Sequence, residues 1–169
     1  MVMRRVSWQT VEVTTVEIVS AMALNPDLLK TSFTLLKEDQ SAFSDLFYST
    51  LFSDYPQVKP LFAHTNMEEQ PKKLFASLVL VVENLVKPDV LTAALQGLGT
   101  RHIKYGVLPE HYPMVGGTLL KSMETILQDN WTPEISAAWA EAYAAITEIM
   151  LEGADYPAEI LNPNNTVSV

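Results

Sequence analysis

His102, Tyr48, Gln70 and Phe62 are the side chains of this sequence whose types and positions could do chemistry. Leu91, Ala94, Leu95 and Leu98 recur at helical spacing as one apolar stripe, and His102 continues it one turn on. A histidine on the inner face of a helix needs a partner, because a buried polar group without one is costly. Two readings stay open at this level. The ring can be a core histidine bonded to a backbone carbonyl, or it can ligate a metal or haem. Tyr48 lies beside the inner stripe of another helix, Phe62 in the turn after it, and Gln70 at the head of a third. Taken singly, each has an ordinary structural explanation. Together they describe an apolar slot with one nitrogen on one side and two hydrogen-bond donors on the other.

The elements that must position these groups are all helical. Asn25-Pro26-Asp27 is a helix start: a capping side chain, a proline at the first position and an acid at the positive end of the dipole. That helix should run to about Leu36, with Lys37 to Gln40 as a polar break. A second helix follows, with Phe43, Leu46, Phe47, Thr50 and Leu51 inward, and Tyr55-Pro56 ends it. A helix from Gln70 carries Leu74, Leu78, Val81 and Leu85 on one face, and Pro71 fits its first turn. Lys87-Pro88 precedes the His102 helix, Pro109 opens the next, and Thr132-Pro133-Glu134 caps the last, which Gly153 ends. The expectation is six or seven helices and no sheet. Residues 1–24 read as an N-terminal extension in which Trp8, Val11, Thr15, Ile18, Val19 and Met22 can share a helical face; homodimer formation is one role for it. Residues 25–154 form the domain, and residues 155–169 read as a flexible tail.

Composition excludes several classes of function. The 169 residues suffice for one domain with a core, and 48% are apolar. A net charge of -9 argues against nucleic-acid backbones and anionic membrane surfaces. There is no cysteine, hence no disulfide, thiolate metal site or thioether-linked cofactor. The absence fits a reducing cytoplasm, and no run reaches the roughly 18 apolar residues of a membrane span. Glu68-Glu69 reads as a solvated pair and His64 as an exposed loop residue. His102 and His111 lack the spacing of a two-histidine zinc site, and Gly97 and Gly99 do not make a phosphate loop.

Four segments carry a family resemblance: FYSTLFSDYPQVKPLF, QPKKLFASL, LGTRHIKYGVLPEHYPMVGGTLL and AAWAEAY. In order and spacing the chain resembles a globin, of the single-domain type related to the haem domain of bacterial flavohaemoglobins, over about residues 25 to 152. The resemblance implies an all-α globin fold, three helices over three, holding haem b (iron protoporphyrin IX). His102 matches the proximal ligand of the iron, Tyr48 and Gln70 the distal donors, Phe62 the haem wedge, Leu74 the apolar residue over the iron and Tyr112 a tyrosine beside the proximal histidine. Phe47, Arg101 and Tyr105 complete the implied haem contacts.

The implied ligands are O2 and NO, and the implied activity is dioxygenation of NO to nitrate, with electrons from a separate reductase. O2 storage or delivery is the second reading, and a haem-based sensor or adaptor the third. Three departures from the pattern matter. No reductase module follows the globin segment. The position of a supporting acid on the last helix is Ala154, with Glu152 out of register, so less electron density would reach the iron. Pro71 directly follows Gln70; were it to turn Gln70 away, Tyr48 would act alone, with Lys73 or His64 as substitute ligand.

Overall fold

Asn25 accepts a hydrogen bond from the Leu28 amide through its side chain and starts the first helix, with Pro26 directly behind it. From there the computed structural model, which describes residues 24–161, is helical throughout, and no strand occurs among those residues. The α-helices are α1 (Pro26–Glu38), α2 (Gln40–Asp54), α3 (Gln70–Glu83), α4 (Pro88–Lys104), α5 (His111–Leu127), α6 (Pro133–Ala154) and a short α7 (Ala158–Leu161). A 3-10 helix, Pro56–Phe62, follows α2. The expected helix number, the helical class and the caps at Asn25 and Thr132 agree with this architecture. The expected N-terminal extension lies, but for Leu24, outside the described residues.

One core joins α1, α2, α3, α5 and α6. Phe33 of α1 stacks on Phe75 of α3 at 5.2 Å between ring centres, and Phe43 of α2 meets the same ring edge-on at 6.2 Å. Trp139 of α6 is 2% exposed and donates its indole N–H to Ser32 Oγ at 2.9 Å. Ser32 in turn donates to the Leu28 carbonyl, so the two buried polar groups satisfy each other. Burying a side chain of this size stabilises the fold by about 1.5–3 kcal/mol.

Two local expectations need correction. The break before α2 is one residue, Asp39, because α1 continues through Lys37 and Glu38. Gly153 does not end α6; it lies inside the helix, which runs one residue further to Ala154 and is closed by Asp155 in a left-handed conformation (φ 51°). Of the segment from Asp155, the described residues 155–161 hold a buried Tyr156, 8% exposed, and a further turn of helix at α7.

The helix pair that decides the site is α4 against α6. Gly99 faces the Met150 backbone and Gly153 faces the Gln96 backbone, and a Cβ on either glycine would run into the opposing main chain. Thr100 Oγ1 adds a bond across the crossing, donating to the Gly153 carbonyl at 2.8 Å. By contrast, α3 packs mainly on α2 and α1.

Candidate haem site

His102 stands in the last turn of α4, half-buried. Its Nδ1–H donates to the Leu98 carbonyl at 2.8 Å, which leaves Nε2 as the nitrogen with a free lone pair. Burial lowers the pKa of the ring; the Leu98 carbonyl partly offsets this, and the Arg101 charge lowers it further. The ring is therefore neutral at pH 7, the state in which imidazole ligates metal. Tyr105 lies 5.9 Å away between ring centres and is 60% exposed; Arg101 is exposed too. Tyr112 of α5 is 6.4 Å away and buried, and its hydroxyl finds no hydrogen-bond partner among the described residues. Burial, with Tyr156 nearby, pushes the Tyr112 phenol up to about 12.

The end of α4 is built with care. Gly106 adopts a left-handed conformation (φ 80°), which only glycine reaches freely. The Gly106 amide donates to the Ile103 carbonyl at 2.9 Å, and the Val107 amide donates to the His102 carbonyl at 3.1 Å. These two bonds are the Schellman pattern of helix termination. The corner also touches the segment before α3, since Leu61 packs toward Gly106.

A second cluster faces from α2, the 3-10 helix and α3. Tyr48 is 7% exposed, with Phe47 at 5.0 Å, Phe62 at 5.8 Å and Phe52 at 6.0 Å between ring centres. Burial raises its pKa, and a side-chain hydrogen bond with Gln70 works against that rise. Gln70, at the head of α3, thus lies close enough to Tyr48 to favour its charged form. The proline occupies the first turn of α3, where an amide has no helical partner anyway. Leu74, one turn further along α3, is half-buried against the core. Lys73 and His64 are exposed.

The structure thus gathers the expected residues into two groups: Tyr48, Phe47, Phe62, Gln70 and Leu74 on the α2–α3 side, and His102, Tyr105 and Tyr112 on the α4–α5 side. The donor set fits a planar iron cofactor. One neutral imidazole offers a free nitrogen, and a buried protonated phenol with an amide beside it stands on the other group. Among the described residues no cluster of three or more His, Asp or Glu side chains competes as a metal site.

The Globin family model matches residues 45–150, more than half of the chain. The chain is a globin. It is 34% identical over 126 residues to a Flavohemoprotein of Rhizobium meliloti (strain 1021), covering 73% of this chain and 31% of that protein. It is 35% identical over 124 residues to an uncharacterized globin-like protein of Aquifex aeolicus (strain VF5), covering 73% of this chain and 87% of that one. The solved structure of a bacterial globin from Campylobacter jejuni superposes with a TM-score of 0.66 at 28% identity, over 76% of this chain and 93% of that one. This globin spans about a third of the length of the flavohemoproteins it matches. Membership implies a haem cofactor and binding of diatomic gases. No helix of the described residues is long and apolar enough to cross a membrane.

Residue types and spacing did not point to four parts of this globin's site: Gly99, Gly153, Thr100 and Tyr156. Glycine inside a helix costs about 1 kcal/mol relative to alanine, so Gly99 and Gly153, both within helical spans, were a usable signal for a close crossing. Tyr156 had no such signal.

Proposed function

We propose that this globin holds haem b between α3 and α4, binds O2 and NO, and converts NO to nitrate with electrons from a separate reductase. The observation that carries the reading is the buried Tyr48 phenol, set among the Phe47 and Phe62 rings. Haem would supply the iron that binds the diatomic gas and changes oxidation state. His102 would present Nε2 to that iron, its ring kept neutral by burial and oriented by the Leu98 carbonyl. Phe62 and Phe47 would wedge the macrocycle, Leu74 would keep the gas side apolar, and Tyr112, Tyr105 and Arg101 would line the other side and rim. Tyr48 keeps its proton at neutral pH because burial opposes ionisation, so it donates to a negatively polarised oxygen held against it.

Hydrogen bonds to charged groups contribute about 1.5–3 kcal/mol each. Two of them slow O2 escape by roughly a hundredfold to ten-thousandfold, at about 1.4 kcal/mol per decade. Long retention favours reaction over delivery. The net step takes NO, O2 and one electron to NO3−, with both O2 atoms kept in the product. The reducing cytoplasm suits a chain without cysteine.

A second reading, O2 storage or delivery, has one observation in its favour. Position 154, where a supporting acid is expected, is a buried alanine, and the bond that orients His102 comes from a neutral backbone carbonyl. The test separates the two. Full-length protein reconstituted with haem is reduced, exposed to O2 and mixed with NO in stopped flow. Stoichiometric nitrate and slow O2 dissociation support NO dioxygenation. Fast O2 dissociation without nitrate moves the reading to storage, and failure to retain haem overturns both.

A further inference from the structure

We propose that Tyr156 is a positioning residue for His102, acting through the backbone of the α4–α5 corner; the idea rests on the haem reading above. The left-handed Asp155 ends α6, and its amide donates to the Leu151 and Glu152 carbonyls, both at 3.3 Å. This turn reverses the chain and carries Tyr156 inward, where its ring is buried. Its hydroxyl donates to the carbonyl of Val107. The Val107 amide, at the other end of that residue, donates to the carbonyl of His102. A two-bond relay therefore runs from the end of α6 to the residue whose ring faces the site.

Without the Tyr156 bond, the Gly106-Val107 cap would be free to fray, since a helix end closed by one glycine in a left-handed conformation is among the more easily opened parts of a fold. With it, the peptide that closes α4 is fixed from both sides. The same helix is fixed one turn earlier by the Thr100 bond to Gly153. Together they lock the rotation of α4 about its axis, and so the direction of the His102 ring. Tyr112 packs between the two groups, 6.4 Å from the His102 ring and within electrostatic reach of Tyr156. The buried Ala154 at the neighbouring position offers no group that could do this work.

The test is Tyr156→Phe in the full-length chain, which removes one oxygen and keeps the ring. Two readouts apply. Amide hydrogen exchange at Gly106 and Val107 in the haem-free protein should quicken by roughly twofold to tenfold, the effect of losing one ordinary hydrogen bond, while α1 and α2 exchange as before. The iron–histidine stretching band of the reduced, haem-loaded protein should shift or broaden. Unchanged exchange at the corner overturns the proposal. A variant that loses its helical circular dichroism overturns it too, because the hydroxyl would then serve the whole fold. If the unaltered chain takes up no haem, the iron–histidine band is missing from both proteins and the haem reading falls, while the exchange data still decide the Tyr156 relay.

Discussion

The two walls of the site are held by different physics. On the α4 side the fastenings all end on main chain: Gly99 on the Met150 backbone and Gly153 on the Gln96 backbone, with the Thr100 and Tyr156 hydroxyls donating to the Gly153 and Val107 carbonyls. On the α3 side they are rings: Phe75 against Phe33 and Phe43, and Tyr48 against Phe47, Phe52 and Phe62. Backbone contacts have no rotamers to adjust, whereas packed side chains can trade volume with their neighbours. The His102 side is thus held more rigidly than the Tyr48 side, whose packed rings have rotamers to adjust.

The sharpest way to break that contrast is Gly99→Ala. The new methyl meets the Met150 carbonyl, so α4 and α6 must move apart. We expect a loss of about 3 kcal/mol, at the upper end for overpacking, in urea unfolding of the haem-free protein. A loss under about 0.5 kcal/mol would show that the crossing can relax and that the α4 wall is no stiffer than the other.

Next in size is Tyr48→Phe. It should raise the O2 dissociation rate roughly tenfold to a hundredfold, the equivalent of about 1.5–3 kcal/mol, measured by stopped-flow displacement with CO. Unfolding stability should barely change, because the ring stays. An unchanged rate would remove Tyr48 from the ligand-holding role.

A smaller effect is expected from Thr100→Val. Thr100 is exposed, so loss of its bond to Gly153 should lower stability by about 0.5–1 kcal/mol in the same unfolding assay. A neutral result would leave the glycine contacts as the sole fastening at that turn.

The smallest signal is a slope with pH. His102 has its pKa lowered by burial, so between its folded value and the ordinary value near 6.5 the unfolded chain binds the extra proton. Stability of the haem-free protein should fall as pH drops below about 6.5, and His102→Gln should flatten that slope. Parallel curves for the two proteins would contradict it.

How much of this was legible beforehand depends on the range of the interaction. The start of α1 at Asn25-Pro26, the start of α6 at Thr132-Pro133 and the stripe from Leu91 to His102 are local. Caps act within a turn, and amphipathic spacing declares which face is inward. Tyr48, Phe62, Gln70 and His102 could be singled out for the same reason, as polar or aromatic groups interrupting apolar faces. Pro71 left the direction of the Gln70 side chain open, because its local preference fixes only the backbone of the first turn. Gly153 did mislead: a helix-ending signal turned out to be a crossing point.

The amino-acid order by itself therefore determined the helices, their buried faces and the identity of the reactive side chains, since these follow from backbone sterics, capping and burial within a few residues. Only the tertiary structure decided that Gly99 would meet the backbone at Met150, that Gln70 would lie close to Tyr48, and that Tyr156 would return to Val107. Those pairings join residues 22 to 51 positions apart, and a contact across such a distance depends on the angle at which whole helices cross, which no local pattern encodes.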